Sequence, residues 1–234
     1  MDDETKNPAD YRPEERRPIR SRDTGWAAAI SNRLAGAQIS PNAISVAGMS
    51  AAVIAGFCFA ATNQVEGFLC RAVWFSGALL CQVRLLCNLF DGMVAIKRGV
   101  ASPVGELYNE VPDRVSDAAV LTGLGFAAGA HPWLGFVAAI LAVFVAYIRA
   151  MAKSVGAPQD YCGPMAKPQR MAVVTLLAVY LAFRPMNWQL SRPVMGEFAW
   201  SETNVALLGI VVGSVVTAAR RLMRAAVFLR KNKS

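Results

Sequence analysis

Residues 87–117 read CNLFDGMVAIKRGVASPVGELYNEVPDRVSD and set polar and ionisable groups between long apolar runs. Asp91 follows Asn88 by three residues, Asp113 follows Asn109 by four, and Asp117 follows Asp113 by four. On helices these spacings stack side chains along one face, with Cβ atoms roughly 5–6 Å apart. Two such helices facing each other would aim Asn88, Asp91, Asn109 and Asp113 into a shared gap, as helical bundles do when they build metal sites. Capping of a span end accounts for Asp91 or Glu106 singly, but not for the same-face set Asn109, Asp113 and Asp117. Carboxylates between membrane-length apolar runs are costly and are kept for a use. Oxygen donors of this kind suit hard cations, Mg²⁺ or Mn²⁺. A cation held there would offset charge building on phosphate oxygens, and phosphoryl transfer depends largely on such positioning and stabilisation.

The elements that must carry these residues are membrane spans. The chain has 234 residues, of which 55% are hydrophobic and 17% charged, a balance few water-soluble domains show. Residues 1–23 are polar, charged and proline-bearing, and read as a disordered cytoplasmic tail. Their acidic start and lack of an apolar core show no signal peptide. Thr24 is placed to cap a short helix over 25–37, with Trp26, Ile30 and Leu34 along one side. That helix reads as lying on the membrane surface, with packing against the bundle as the ordinary alternative. Ser40-Pro41-Asn42 then breaks the chain. Apolar runs predict spans over 43–61, 68–95, 104–130, 133–152, 168–183 and 202–223. Pro112 should bend the third.

The expected fold is therefore all-α, an integral membrane bundle of six transmembrane helices with an N-terminal interfacial helix. The membrane domain would cover 24–225, and a basic tail 226–234. Lys and Arg concentrate before the first span, at 97–103, at 153–170 and at the C-terminus, while 62–67 and 130–133 carry none. This asymmetry puts both termini in the cytoplasm and the polar cluster at the cytoplasmic face, although Arg184 and Arg192 weaken the contrast. The net charge of +8 is explained by that topology and no nucleic-acid partner is expected, because no aromatic-basic reading surface accompanies the charge. The five cysteines are an odd number without Cys-x2-Cys spacing, and read as small apolar residues. Arg84, one turn before Asn88, should face the bundle interior. Trp133, Trp188 and Trp200 suit an interfacial belt, and Gly209 with Gly213 suits close helix packing.

The cluster resembles the signature of the CDP-alcohol phosphatidyltransferases, Asp-x2-Asp-Gly-x2-Ala-Arg-x8-Gly-x3-Asp-x3-Asp. Aligned without a gap, the chain keeps Asp91, Gly92, Ala95, Gly105 and Asp113, and departs at Asn88, Ile96 and Asn109. Ser40-Pro41-Asn42 is similar to the family's Thr-Pro-Asn entry into the first span, and GPMAKPQR over 163–170 to its Gly…Lys-Pro-x-Arg loop. The resemblance covers roughly residues 30–220.

The resemblance implies a multi-pass cell-membrane enzyme with a cytoplasmic active site. It would move a substituted phosphate from a CDP-linked donor, CDP-diacylglycerol first among them, to a small polar alcohol and release CMP. Carried over by position, Asn88, Asp91, Asn109 and Asp113 would hold a pair of Mg²⁺ or Mn²⁺ ions, and Asp113 would accept the proton. Ser40, Pro41, Asn42, Ala43, Gly92, Ala95, Ile96, Ser102 and Gly105 would border the donor. Ile96 stands where an arginine would meet the nucleotide and cannot donate hydrogen bonds, so Lys97 or Arg98 becomes a candidate replacement. The two asparagines remove two negative charges from the quartet; Asp117 is the best-placed acid to restore one, with Glu106 and Glu110 behind it. Arg149, Lys153, Lys167 and Arg170 form either a basic pocket for a phosphate-bearing acceptor or part of the charge asymmetry that sets topology. The glycine spacings serve packing within the bundle or, following the resemblance, a homodimer contact. Two rivals stand beside the enzyme: an inactive lipid- or nucleotide-binding relative of the same fold, and a small transporter with an intramembrane acidic site.

Overall fold

A computed structural model describes residues 24–185 and 200–232. These residues form seven α-helices: α1 (Gly25–Gly36), α2 (Pro41–Ala61), α3 (Gly67–Lys97), α4 (Pro103–Gly125), α5 (Pro132–Ser154), α6 (Lys167–Phe183) and α7 (Glu202–Lys231). The order matches one short leading helix followed by six longer ones. By length and composition α2, α3, α5 and α7 can each cross a membrane. The polar run 109–117 lies inside α4, and α6 has only 17 residues, so neither meets that standard. The expected tail 1–23, Trp188 and Arg192 lie outside the described residues.

Two boundaries differ from expectation. The helix α4 stops at Gly125 rather than near residue 130. The Phe126 amide is shared between the Thr122 and Gly123 carbonyls, and Gly129 at φ +74 turns the chain. At the other end, α7 continues to Lys231, through residues expected to form a basic tail. Ala, Leu, Arg and Lys dominate that stretch and are all strong helix formers. On α1, Ala27 and Ser31 are buried while Trp26 and Ile30 are exposed. Pro112 stands inside α4 without ending it.

The chain divides into two compact units. The first contains α1, α2 as far as Ser50, α3 from Val83 and α4 as far as Asp113. Its core is Ala27, Ile44, Leu89, Phe90 and Val94, with Leu34 and Met93 packed beside them. Trp26 meets Phe90 edge-on at 6.1 Å. Lys97 Nζ donates to Ser31 Oγ at 2.6 Å and Asn32 Oδ1 at 2.5 Å, and Arg98 Nη1 to the Ile39 carbonyl at 2.8 Å. These two cations therefore clamp α1 and the turn before α2 onto the end of α3.

The second unit contains the rest of α2, α3 and α4 together with α5, α6 and α7. Its helices touch through backbone where glycine removes the side chain. A Cβ on Gly123 would strike the Gly56 backbone, and one on Gly125 the Gly135 backbone. Those glycines do the close packing expected of Gly209 and Gly213. Gly209 faces open space, and Gly213 meets the Met165 side chain rather than a helix. Phe59 packs on Trp74 at 5.5 Å, and Leu121, Leu124, Leu134, Leu207 and Ile210 are fully buried.

Candidate active site

In the first unit, Asp91 is buried near the end of α3 and its carboxylate is held from two sides. Ser45 Oγ donates to Oδ2 at 2.8 Å, and the Gly92 amide donates to Oδ1 at 2.5 Å. Ser45 lies one turn after Pro41, so the Pro41 start of α2 sets which residue of the first turns reaches Asp91. Two turns earlier on α3, Arg84 is 2% exposed and forms an ion pair with Asp113 of α4. Residues 84, 88 and 91 share one stripe of α3, and 109 and 113 share one stripe of α4. The Arg84–Asp113 pair joins those stripes. Asn88 and Asn109, half-buried, belong to them.

The surrounding candidates divide. Gly92, Ala95 and Gly105 are partly buried, while Ser40, Asn42, Ala43 and Ile96 are exposed. Ser102 Oγ accepts from the Gly105 amide at 3.1 Å, which is an N-cap bond at the start of α4. Lys97 and Arg98 are committed to α1 and its following turn, so neither replaces an arginine at Ile96.

The described residues include no group of three or more His, Cys, Asp and Glu able to hold a metal. The stripes instead offer two carboxylates and two amide oxygens, with Arg84 on one carboxylate. That set fits a single Mg²⁺ or Mn²⁺ completed by substrate phosphate, since such sites commonly use one or two carboxylates. It does not fit two divalent ions held by protein charge alone.

In the second unit, Asp117 and Arg170 form a fully buried ion pair at 2.7 Å, with exposures of 0% and 1%. Arg114 stands 3.8 Å away on the next turn of α4, and Arg170 Nη1 also donates to the Met165 carbonyl at 3.1 Å. The charge of Asp117 is thus matched by Arg170, and Arg170 fixes the loop that leads into α6. A separate cavity of about 330 Å³ is lined by Ile148, Arg149, Asp160, Arg221, Arg224 and Phe228, among others. Of the four basic residues expected to bind an acceptor, Arg149 alone lines it; Lys153 is exposed, Lys167 half-buried and Arg170 buried.

The cavity wall is cross-tied. Arg221 donates to the Cys162 carbonyl at 3.0 Å and the Val145 carbonyl at 3.2 Å, and Arg224 pairs with Asp160 at 3.2 Å. Arg149 lies 5.4 Å from the Tyr161 ring centroid. Burial alone would raise the Asp160 carboxyl, but the Cys162 thiol and amide and the Arg224 guanidinium outweigh it and hold the group below its ordinary range. Arg221, Arg224, Asp160 and Ser45 carried no expectation from sequence. Arg221 and Arg224 are three residues apart on one helix face, a spacing masked by the general basicity of the C-terminus.

A sequence model of the CDP-alcohol phosphatidyltransferases matches residues 38–216, which include the Arg84–Asp113 and Asp117–Arg170 pairs and the Ser45–Asp91 contact. The chain belongs to the CDP-alcohol phosphatidyltransferase family. It is accordingly a multi-pass membrane transferase of phospholipid biosynthesis. Among relatives of this phosphatidyltransferase, the Mycolicibacterium smegmatis phosphatidylinositol phosphate synthase is 26% identical over 200 residues, covering 80% of this chain and 77% of that one. The Pyrococcus horikoshii archaetidylinositol phosphate synthase is 26% identical over 156 residues, covering 66% and 77%. Crystal structures of the Mycobacterium tuberculosis phosphatidylinositol phosphate synthase share the fold. One, with CDP-DAG bound, has a TM-score of 0.65 at 22% identity and covers 84% of this chain and 92% of that one. Another, with manganese and citrate, has a TM-score of 0.66 at 22% identity and covers 84% and 87%.

Proposed function

We propose that this phosphatidyltransferase moves a substituted phosphate from CDP-diacylglycerol to a phosphate-bearing alcohol at the cytoplasmic face of the cell membrane, releasing CMP. The observation that carries the reading is the Arg84–Asp113 pair, which joins the stripe of Asn88 and Asp91 to that of Asn109 and Asp113. One Mg²⁺ or Mn²⁺ held by these four residues would offset charge on the donor pyrophosphate. Asp113 takes the proton as the acceptor oxygen bonds to phosphorus and CMP leaves. The small residues Gly92 and Ala95 leave room for the nucleotide, and Ser40, Pro41, Asn42, Ala43, Ile96, Ser102 and Gly105 border it. Arg149, Arg221 and Arg224 in one cavity support a phosphorylated acceptor, as do the names of the relatives. Lys153, Lys167 and Arg170 then act in topology and packing.

The test is product identification. Purified full-length protein in lipid nanodiscs, given CDP-diacylglycerol and Mg²⁺, is expected to convert an inositol phosphate into a phosphatidyl product that retains the phosphate, read by mass spectrometry. Turnover of unphosphorylated inositol at the same rate would remove the acceptor assignment while leaving the donor assignment standing.

Ser45 enters this reading as the residue that orients Asp91. Partners of metal-binding carboxylates typically account for 10–100-fold in affinity or activity. Ser45→Ala is expected to lower the rate of CMP release by about that factor. Ser45→Thr, which keeps the hydroxyl, is expected to recover most of it; equal loss in both variants would point to packing instead.

A further inference from the structure

Arg84 is 2% exposed, yet only its Nη2 meets Asp113; Nε and Nη1 are buried without a hydrogen-bond partner among the described residues. A buried guanidinium with two idle nitrogens is an expensive arrangement, and more so within a membrane helix. The fork geometry of arginine matches phosphate oxygens, so an incoming phosphate would relieve that cost.

Charge points the same way. Two ionised carboxylates and Arg84 give the described side chains of the two stripes a formal charge of −1. One divalent ion brings this to +1 and two bring it to +3; with Arg84 counted likewise, four carboxylates with two ions would also give +1.

Resting on the donor reading above, we infer that Arg84 is a built-in cation of this site. It binds the donor pyrophosphate through Nε and Nη1, and its fixed charge takes the place of a second divalent ion, so that the site works with one. Asn88 and Asn109 are then the matching half of the arrangement: the neutral amides leave two negative charges fewer to be balanced.

The experiment uses the full-length protein in nanodiscs, with CDP as probe and Mn²⁺ as the ion, counting bound Mn²⁺ by electron paramagnetic resonance and CDP affinity by calorimetry. The wild type is expected to bind one Mn²⁺ per chain with CDP. Arg84→Lys keeps charge without the fork and is expected to retain one Mn²⁺ while weakening CDP by about tenfold. Arg84→Gln is expected to weaken CDP by roughly 10- to 100-fold. Two Mn²⁺ per wild-type chain would overturn the inference and leave the donor reading intact. So would unchanged CDP affinity in Arg84→Gln. Failure of the wild type to bind CDP at all would overturn both. If neither variant folds, two Mn²⁺ per wild-type chain would still overturn the inference.

Discussion

Asp117→Ala is expected to destabilise the protein by about 3–5 kcal/mol, the usual cost of stripping one partner from a buried ion pair. Its partner Arg170 is 1% exposed and would keep its charge in a site that water does not reach. Two other carboxylates described in this unit already have cationic partners, Asp160 with Arg224 and Glu202 with Arg184. The damage would extend beyond one bond, because Arg170 also holds the Met165 carbonyl at the entry to α6. A fall in the thermal unfolding midpoint of the detergent-purified protein measures the effect. The double variant Asp117→Leu with Arg170→Met removes both charges and is expected to recover most of the loss, because an apolar pair of similar volume often matches a buried ion pair. A single variant as stable as the wild type would mean that the pair contributes nothing.

Asp113→Asn is expected to reduce CMP release by about 10²- to 10⁴-fold, the range for loss of a positioned general base. The amide keeps the shape of the side chain and an oxygen for Arg84, so the ion-pair geometry is disturbed less than by alanine. Asp113→Ala would remove the accepting oxygen as well as the charge facing the buried guanidinium, and so add a larger folding defect to the chemical one. The useful comparison is therefore rate against stability in the same preparation. A large rate loss with a small change in unfolding midpoint assigns Asp113 to the chemistry. Equal losses in both would make it a structural counter-ion of Arg84.

The seven-helix order was legible because apolar length and the Ser40-Pro41-Asn42 break are local signals. The stripes of α3 and α4 were legible for the same reason: their spacing is written in consecutive turns. What sequence could not supply was the choice of partner across distance. Asp117 was a candidate to restore charge to the quartet because it lies one turn from Asp113; its described partner is Arg170, 53 residues away. Lys97 and Arg98 looked available beside Ile96 but reach back to α1 and residue 39, some 60 residues earlier. The glycine contacts followed the same rule. Gly209 and Gly213 had the familiar spacing on one helix, whereas Gly56 with Gly123 and Gly125 with Gly135 meet across helices and share no local pattern. Arg84 was the exception: its depth in an apolar span already marked it as facing inward, and only its partner had to be found.

The measurement that bears most directly on the central claim, that Asp91 and Asp113 belong to one transfer centre for a CDP-linked lipid, is CMP formation by the purified protein. Wild-type protein in nanodiscs with CDP-diacylglycerol, an inositol phosphate and Mg²⁺ is expected to release CMP continuously, to stop when a chelator removes the ion, and to do so at least about 10²-fold more slowly as Asp91→Asn. CMP release that is unchanged in Asp91→Asn, or that persists in chelator, would contradict it.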